Sequence, residues 1–164
     1  MPSHESDVPT PAEPIDPDVD LTDAAQRREL RRSHYGVLLV IALGGAIGAV
    51  ARFGAAQAWP TPPAAFPWTT LLVNAAGCLV IGVFLVTVTE VFSAHPLLRP
   101  FFGTGVLGGF TTFSTYCVDI ERLLDAGRAG TALSYLSATL VAALAAVTVG
   151  AWSTRRILAK RSAS

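Results

Sequence analysis

Polar side chains occur inside long apolar stretches of this sequence, where each is costly to bury unless it faces protein or water. Thr70 and Asn74 are one helical turn apart, so their side chains share one face of a helix. Hydroxyl groups and aromatic rings stand side by side from Thr111 to Tyr116. Amide and hydroxyl groups donate hydrogen bonds, and aromatic ring edges carry the positive part of the ring quadrupole. This combination suits a small anion better than a cation.

Helix packing is the alternative explanation for these residues. Asn and Thr side chains often hydrogen-bond a neighbouring membrane helix, and a pair such as Gly44 and Gly48 lets two helices approach closely. Packing accounts for the glycines but not for the hydroxyl-rich run 111–116. For Thr70 and Asn74, spacing alone leaves both roles open.

The third apolar stretch is a poor continuous helix. Gly108 and Gly109 stand directly before residues 110–113, which are β-branched or aromatic, and this is an unfavourable helix interior. A break there would free backbone carbonyls, which a membrane protein tolerates only where they are buried in protein or coordinate an ion. We therefore expect the third helix to be broken mid-membrane.

Four apolar stretches must position these residues. A helix needs roughly 20 apolar residues to span the hydrocarbon, and Pro60, Pro62 and Pro63 separate the first two stretches. The expected spans are about 35–57, 66–90, 97–122 and 130–153. The predicted fold class is thus an all-α integral membrane protein with four transmembrane helices.

Composition excludes several functional classes. Of the 164 residues, 51% are hydrophobic and only 15% are charged, which argues against a water-soluble enzyme or a nucleic-acid-binding protein. No phosphate-binding loop, nucleophile motif or cluster of Cys and His occurs in the sequence. We therefore expect no catalytic residues and no enzymatic activity.

Charge divides the chain into unlike parts. Residues 1–26 carry seven acids and no Lys or Arg, and they are rich in proline, which is typical of disorder. The expected domains are a disordered tail, 1–32, that ends in a basic juxtamembrane segment, a four-span domain, 33–154, and a basic cytoplasmic tail, 155–164.

The distribution of basic residues predicts the orientation. The side that both termini share with the 91–99 loop carries nine Lys or Arg residues, whereas the other side carries Arg122 and Arg128. Basic loops remain in the cytoplasm. The sequence therefore predicts a multi-pass protein of the cell membrane with both termini cytoplasmic.

Over about residues 35–153 the chain resembles the Fluc (CrcB) fluoride channels of microbes. The matching pieces are 44–53 (GGAIGAVARF), 70–74 (TLLVN) with Gly77, and 108–116 (GGFTTFSTY) followed by Asp119. Any one piece alone would be weak. The combination of GGxTTFST with an upstream TLxxN is highly specific.

The resemblance implies a dimer of antiparallel subunits with two narrow pores, which export cytoplasmic fluoride passively. Arg52 would lie at the aqueous vestibule, and backbone carbonyls of Gly108 and Thr111 would hold one structural Na⁺ at the dimer centre. The implied pore residues are Thr70, Asn74, Phe113, Ser114, Thr115, Tyr116 and Thr139.

Two positions depart from the family pattern: Tyr116 replaces the usual Phe, and Asp119 replaces the common Glu. The charge bias adds an expectation of its own, because an antiparallel homodimer needs subunits that insert both ways. We expect this chain to pair with an oppositely oriented paralogue. The expected partners are thus fluoride, membrane lipid and that second subunit, with no nucleic acid.

Two other functions remain open. A small proton-coupled exporter of drugs or cations would need a carboxylate buried in the membrane. The acids nearest the membrane are expected at span ends: Glu90, Asp119, Glu121 and Asp125. A non-conducting subunit of a heterodimeric channel is compatible with Tyr116 and with a fixed orientation.

Overall fold

A computed structural model describes the backbone of residues 24–90 and 97–162, and the side chains of residues 35–90 and 97–160. The acidic segment 1–23, for which the sequence predicts disorder, lies outside the described residues, as do residues 91–96. The chain divides into two units after Tyr35. The described part of the first unit is the start of a helix, and all contacts below lie in the second unit.

Secondary structure in the described ranges is helical, with no strand. Helix α1 is Ala24–Ala58 and helix α2 is Trp68–Glu90. Helix α3 joins a wide π-helical part, Arg99–Leu107, to one α-helical turn, Gly108–Phe110. Helices α4 and α5 are Ser114–Asp125 and Ala129–Ser162.

Three helical stretches are long and apolar enough to cross a membrane: Tyr35–Ala58, Trp68–Glu90 and Ala129–Lys160. They correspond to the first, second and fourth expected spans, which confirms an all-helical protein with membrane-spanning segments. The third expected span, 97–122, is divided between α3 and α4. Their combined length fits a fourth crossing.

Contacts at the two ends of the bundle indicate which connections share a side. Arg128, between α4 and α5, donates a hydrogen bond to the Ala64 carbonyl in the α1–α2 connection at 2.8 Å. At the other end, Arg155 of α5 donates to Glu90 at the end of α2 at 3.0 Å. In an up–down arrangement of four spans, the α1–α2 and α4–α5 connections lie on one side, and the end of α2 lies on the other side with the end of α5.

Glycines on both helices allow α1 to pack closely on α3. A Cβ atom at Gly44 or Gly48 would collide with main-chain atoms of α3, and one at Gly105 or Gly109 would collide with main-chain atoms of α1. The glycine pair predicted on α1 therefore meets a second pair with the same four-residue spacing. Small residues at this spacing bring helix backbones together.

Helix α2 packs along α5. Main-chain atoms of α5 leave no room for a Cβ at Gly82, and those of α2 leave none at Gly150. A small buried core lies where these two helices meet α4, and its members are Leu71, Leu123, Ala132 and Tyr135.

Helix α5 is longer than the expected span. Its 34 residues rise about 51 Å at about 1.5 Å per residue, whereas the hydrocarbon of a bilayer is roughly 30 Å thick. The segment 155–162, for which the sequence predicts a basic tail, continues this helix.

Candidate functional site

The helix is interrupted one residue after the Gly108–Gly109 pair. Helix α3 ends at Phe110, and helix α4 begins at Ser114. Thr111 between them has an extended backbone, with φ −75° and ψ 156°. Residues 111–113 lie between the two helices, in the segment that also carries the hydroxyl groups.

Two amides at the interruption donate to side chains. In a continuous α-helix each amide donates to the carbonyl four residues earlier. Here the Thr112 amide donates to Asn74 Oδ1 at 2.8 Å, and the Thr115 amide donates to Thr112 Oγ1 at 3.1 Å. The carbonyls of Gly108 and Thr111 thus lose the amide donors that a continuous helix would give them.

Asn74 binds both polar groups of Thr112. Its Nδ2 donates to the Thr112 carbonyl at 2.9 Å, while its Oδ1 accepts the Thr112 amide. Asn74 is buried on α2. Because a carboxamide nitrogen carries two hydrogens, one N–H remains for a ligand while the other holds the interruption.

Thr139 carries a buried hydroxyl on α5. Its Oγ1 forms no well-aligned hydrogen bond with a described residue, and the Tyr135 hydroxyl is its polar neighbour. A buried hydroxyl without a partner costs about 1–3 kcal/mol. The cost is offset when a ligand supplies the missing hydrogen bond.

These groups face a groove of about 330 Å³ between α2, the interruption and α5. Its lining contains these sequence-predicted residues: Asn74, Thr111, Phe113, Tyr116 and Thr139. The lining also contains Cys78, one turn after Asn74, and it carries no charged side chain. The other predicted site residues do not line the groove.

The two aromatic residues of the groove differ in exposure, because Phe113 is exposed and Tyr116 is half-buried. Phe113 is 76% exposed, and its ring centroid lies 5.8 Å from that of Tyr116. The Tyr116 hydroxyl donates to the Leu136 carbonyl of α5 at 3.0 Å. The hydroxyl that distinguishes Tyr116 from the expected Phe is therefore bound to main chain. The ring of Tyr116 remains at the groove.

Thr70 lies in a separate buried cluster beside the groove. Its hydroxyl donates to Asp119 Oδ2 at 2.8 Å, and the Tyr135 hydroxyl donates to the same oxygen at 3.4 Å. Asp119 is buried, and its other oxygen lies 3.7 Å from the exposed Arg122. The sequence predicts Asp119 at a span end, and it gives no sign of the burial of Asp119 or of its contact with Thr70.

Ser114 and Thr115 begin helix α4. The Thr112 hydroxyl donates to Thr115 Oγ1 at 3.0 Å and lies 3.3 Å from Ser114 Oγ. With the amide contact of Thr115, these bonds stabilise the first turn of α4. A pore-lining role for Ser114 and Thr115 stays a prediction.

Arg52 joins α1 to the end of α3. Its Nε donates to the Gly109 carbonyl at 3.1 Å, and the side chain is half-buried. A guanidinium has four further N–H donors, which leaves it able to attract an anion. The expected place of Arg52 at a vestibule stays a prediction.

Comparison with known proteins confirms the resemblance. The chain is 59% identical over 135 residues to Fluoride-specific ion channel FluC 1 of Streptomyces coelicolor, covering 82% of this chain and 88% of that protein. It is 56% identical over 154 residues to FluC 2 of Streptomyces avermitilis, covering 94% and 98%. FluC 3 of the same organism is 42% identical over 130 residues, covering 79% of this chain and 64% of that protein.

A family model described as CrcB-like protein, Camphor Resistance (CrcB), matches residues 39–151, a range that includes every candidate site residue from Arg52 to Thr139. With this match over most of its length, and with close relatives over more than four-fifths of it, the chain belongs to the CrcB-like protein family.

Proposed function

We propose that this chain is a subunit of a fluoride-selective channel that exports cytoplasmic fluoride passively. The observation that carries the proposal is the groove where Asn74, Thr139, Phe113 and Tyr116 face one volume. Asn74 retains an N–H beyond its bond to Thr112, and Thr139 has a buried hydroxyl that forms no well-aligned hydrogen bond with a described residue. The names of the relatives support fluoride as the ion.

The chemistry of the groove fits an anion that has lost its water. An N–H, an O–H and ring edges replace the hydrogen bonds that water donates to fluoride. The lining carries no charge that would bind the ion too tightly to release it. The nearby carboxylate of Asp119 already accepts hydrogen bonds from Thr70 and Tyr135, which lessens its repulsion of an anion.

The driving force needs no chemical step from the protein. Protonated fluoride crosses lipid uncharged and dissociates in a more neutral cytoplasm, where the anion is trapped. An inside-negative potential then drives the anion outward with about 2.3 kcal/mol per charge for each 100 mV. A passive pore is sufficient for export.

The proposal includes an antiparallel dimer with one structural Na⁺, and it places the α3–α4 interruption mid-membrane. The carbonyls of Gly108 and Thr111 fit this ion, because both lose their helical donors and hard cations take oxygen ligands. When bound, Na⁺ would supply the positive charge that satisfies these carbonyls. The exposed ring of Phe113 leaves the groove open for a second subunit to cover.

In this proposal the second subunit is a paralogue of opposite orientation. Nine basic residues lie on the side of the termini and two on the other, so the chain inserts one way with both termini cytoplasmic. Two of the relatives, FluC 2 and FluC 3, come from one organism, which supports the existence of such pairs.

Fluoride efflux from liposomes tests the proposal. The purified chain is reconstituted alone and with an oppositely biased paralogue, and efflux is followed with a fluoride-selective electrode, with chloride as the control ion. When both chains are present, we expect fluoride efflux without chloride efflux. Efflux from the chain alone would remove the need for a paralogue, and no efflux in either case would overturn the channel.

A further inference from the structure

Helix α5 extends beyond the level at which the bundle leaves the apolar part of a membrane. An ion pair between Glu90 and Arg155, 3.0 Å apart, joins the end of α2 to α5. Charged groups are costly in hydrocarbon, so this pair marks the membrane surface. The helix continues from there to Ser162.

One face of α5 crosses this level with three residues spaced by four: Trp152, Arg156 and Lys160. Residues at this spacing lie one above the other on a helix. The guanidinium carbon of Arg156 lies 4.7 Å from the centroid of the Trp152 ring, and Trp152 is 57% exposed. We call these three residues the basic face of α5.

The charges of the basic face are not neutralised by the part of the protein that the structure describes. Glu90 pairs with Arg155, which lies outside this face, whereas neither Arg156 nor Lys160 forms an ion pair with a described residue. Stacking on Trp152 fixes the Arg156 guanidinium without using its hydrogen-bond donors. A guanidinium held in this way is preorganised for a phosphate group, which it can bind through two parallel hydrogen bonds.

We propose that the basic face of α5 binds the headgroup of an anionic phospholipid. Arg156 and Lys160 bind the phosphate, and the Trp152 ring lies at the boundary between headgroup and acyl chain, where tryptophan is enriched in membrane proteins. Free phosphate would gain nothing from an apolar ring at that depth. The bound lipid holds the end of α5 at the membrane surface, and this role does not depend on fluoride conduction.

Tryptophan quenching by brominated lipid tests the site in the full-length chain. Of the three tryptophans, Trp59→Phe and Trp68→Phe leave Trp152 as the only reporter. The protein is reconstituted in vesicles of phosphatidylglycerol and phosphatidylcholine in which only one of the two lipids carries bromine. We expect stronger quenching by brominated phosphatidylglycerol, from a local enrichment of about fivefold for each basic residue.

The variant Arg156→Gln/Lys160→Gln should remove the excess quenching by brominated phosphatidylglycerol. The control Arg122→Gln changes an exposed charge at the other end of the bundle and should preserve the excess. In the Trp152 reporter chain without charge changes, 1 M salt should also reduce the excess, and equimolar inorganic phosphate should not. Equal quenching by the two brominated lipids would overturn the proposal. An excess that survives both the double substitution and high salt would overturn it as well.

Discussion

Asn74 and Thr112 are 38 residues apart, yet the Asn74 carboxamide both donates to the Thr112 carbonyl and accepts its amide, at 2.9 Å and 2.8 Å. One side chain thus satisfies the backbone of the interruption and presents a remaining N–H to the groove. The alternatives that the sequence left open for Asn74, helix packing and ion binding, are therefore not exclusive. The contacts with Thr112 leave one N–H of Asn74 for its proposed role in ion binding.

Asn74→Asp tests this double role with a side chain of the same shape. The carboxylate cannot donate to the Thr112 carbonyl, and it places a negative charge in the groove. We expect fluoride efflux to fall by at least about tenfold and stability to fall by about 1–3 kcal/mol, the cost of an unsatisfied buried group. Efflux is measured with the electrode and stability by thermal unfolding in detergent. Unchanged efflux would contradict a role for Asn74 in conduction.

Thr139→Val separates conduction from packing, because the two roles predict opposite changes in stability. The substitution removes a buried hydroxyl that forms no well-aligned hydrogen bond with a described residue, so stability should hold or rise by about 1 kcal/mol. Fluoride efflux should fall severalfold if the hydroxyl donates to the ion.

Thr148→Val is the matched control, since the Thr148 hydroxyl is exposed and donates to the Leu144 carbonyl within α5. Efflux should not change in this variant. A loss of stability in Thr139→Val with normal efflux would assign Thr139 a structural role.

Tyr116→Phe tests whether the additional hydroxyl obstructs the groove. The hydroxyl donates to the Leu136 carbonyl, so its removal should lower stability by about 1 kcal/mol. Efflux and chloride exclusion should remain close to those of the native chain, because the ring position is unchanged. A rise of an order of magnitude in fluoride efflux would show instead that the native residue blocks the path, as a non-conducting subunit requires.

Asp119→Asn distinguishes a channel from a proton-coupled exporter. Among the described residues, Asp119 is the buried carboxylate that such an exporter would need, but here it accepts hydrogen bonds from Thr70 and Tyr135. We expect native efflux to be independent of a proton gradient, and Asp119→Asn to lower stability by about 1–3 kcal/mol with efflux retained. The gradient is collapsed with a protonophore during the electrode measurement. Gradient-dependent efflux that disappears in Asp119→Asn would favour the exporter.

Local patterns in the sequence predict the helices, whereas contacts between distant residues decide the site. The apolar stretches and the Gly44–Gly48 pair are visible because helical periodicity and packing act over a few residues. The partner of Thr70 is not visible, since Asp119 follows it by 49 residues and reaches it only when α2 packs against α4. The π-helical part of α3, Arg99–Leu107, has no local signal in the sequence.

Orientation provides the last prediction, because it decides whether this chain needs a partner. With a reporter fused to the C-terminus, the native chain should give a single population with that terminus in the cytoplasm. Replacing the four arginines between residues 27 and 32 with Gln changes the bias from nine against two to five against two. The positive-inside rule then predicts a weaker preference, with a larger inverted fraction than in the native chain. As a control, Arg122→Gln strengthens the native bias and should leave one orientation. An even split of orientations for the native chain would permit a homodimer and overturn the paralogue proposal.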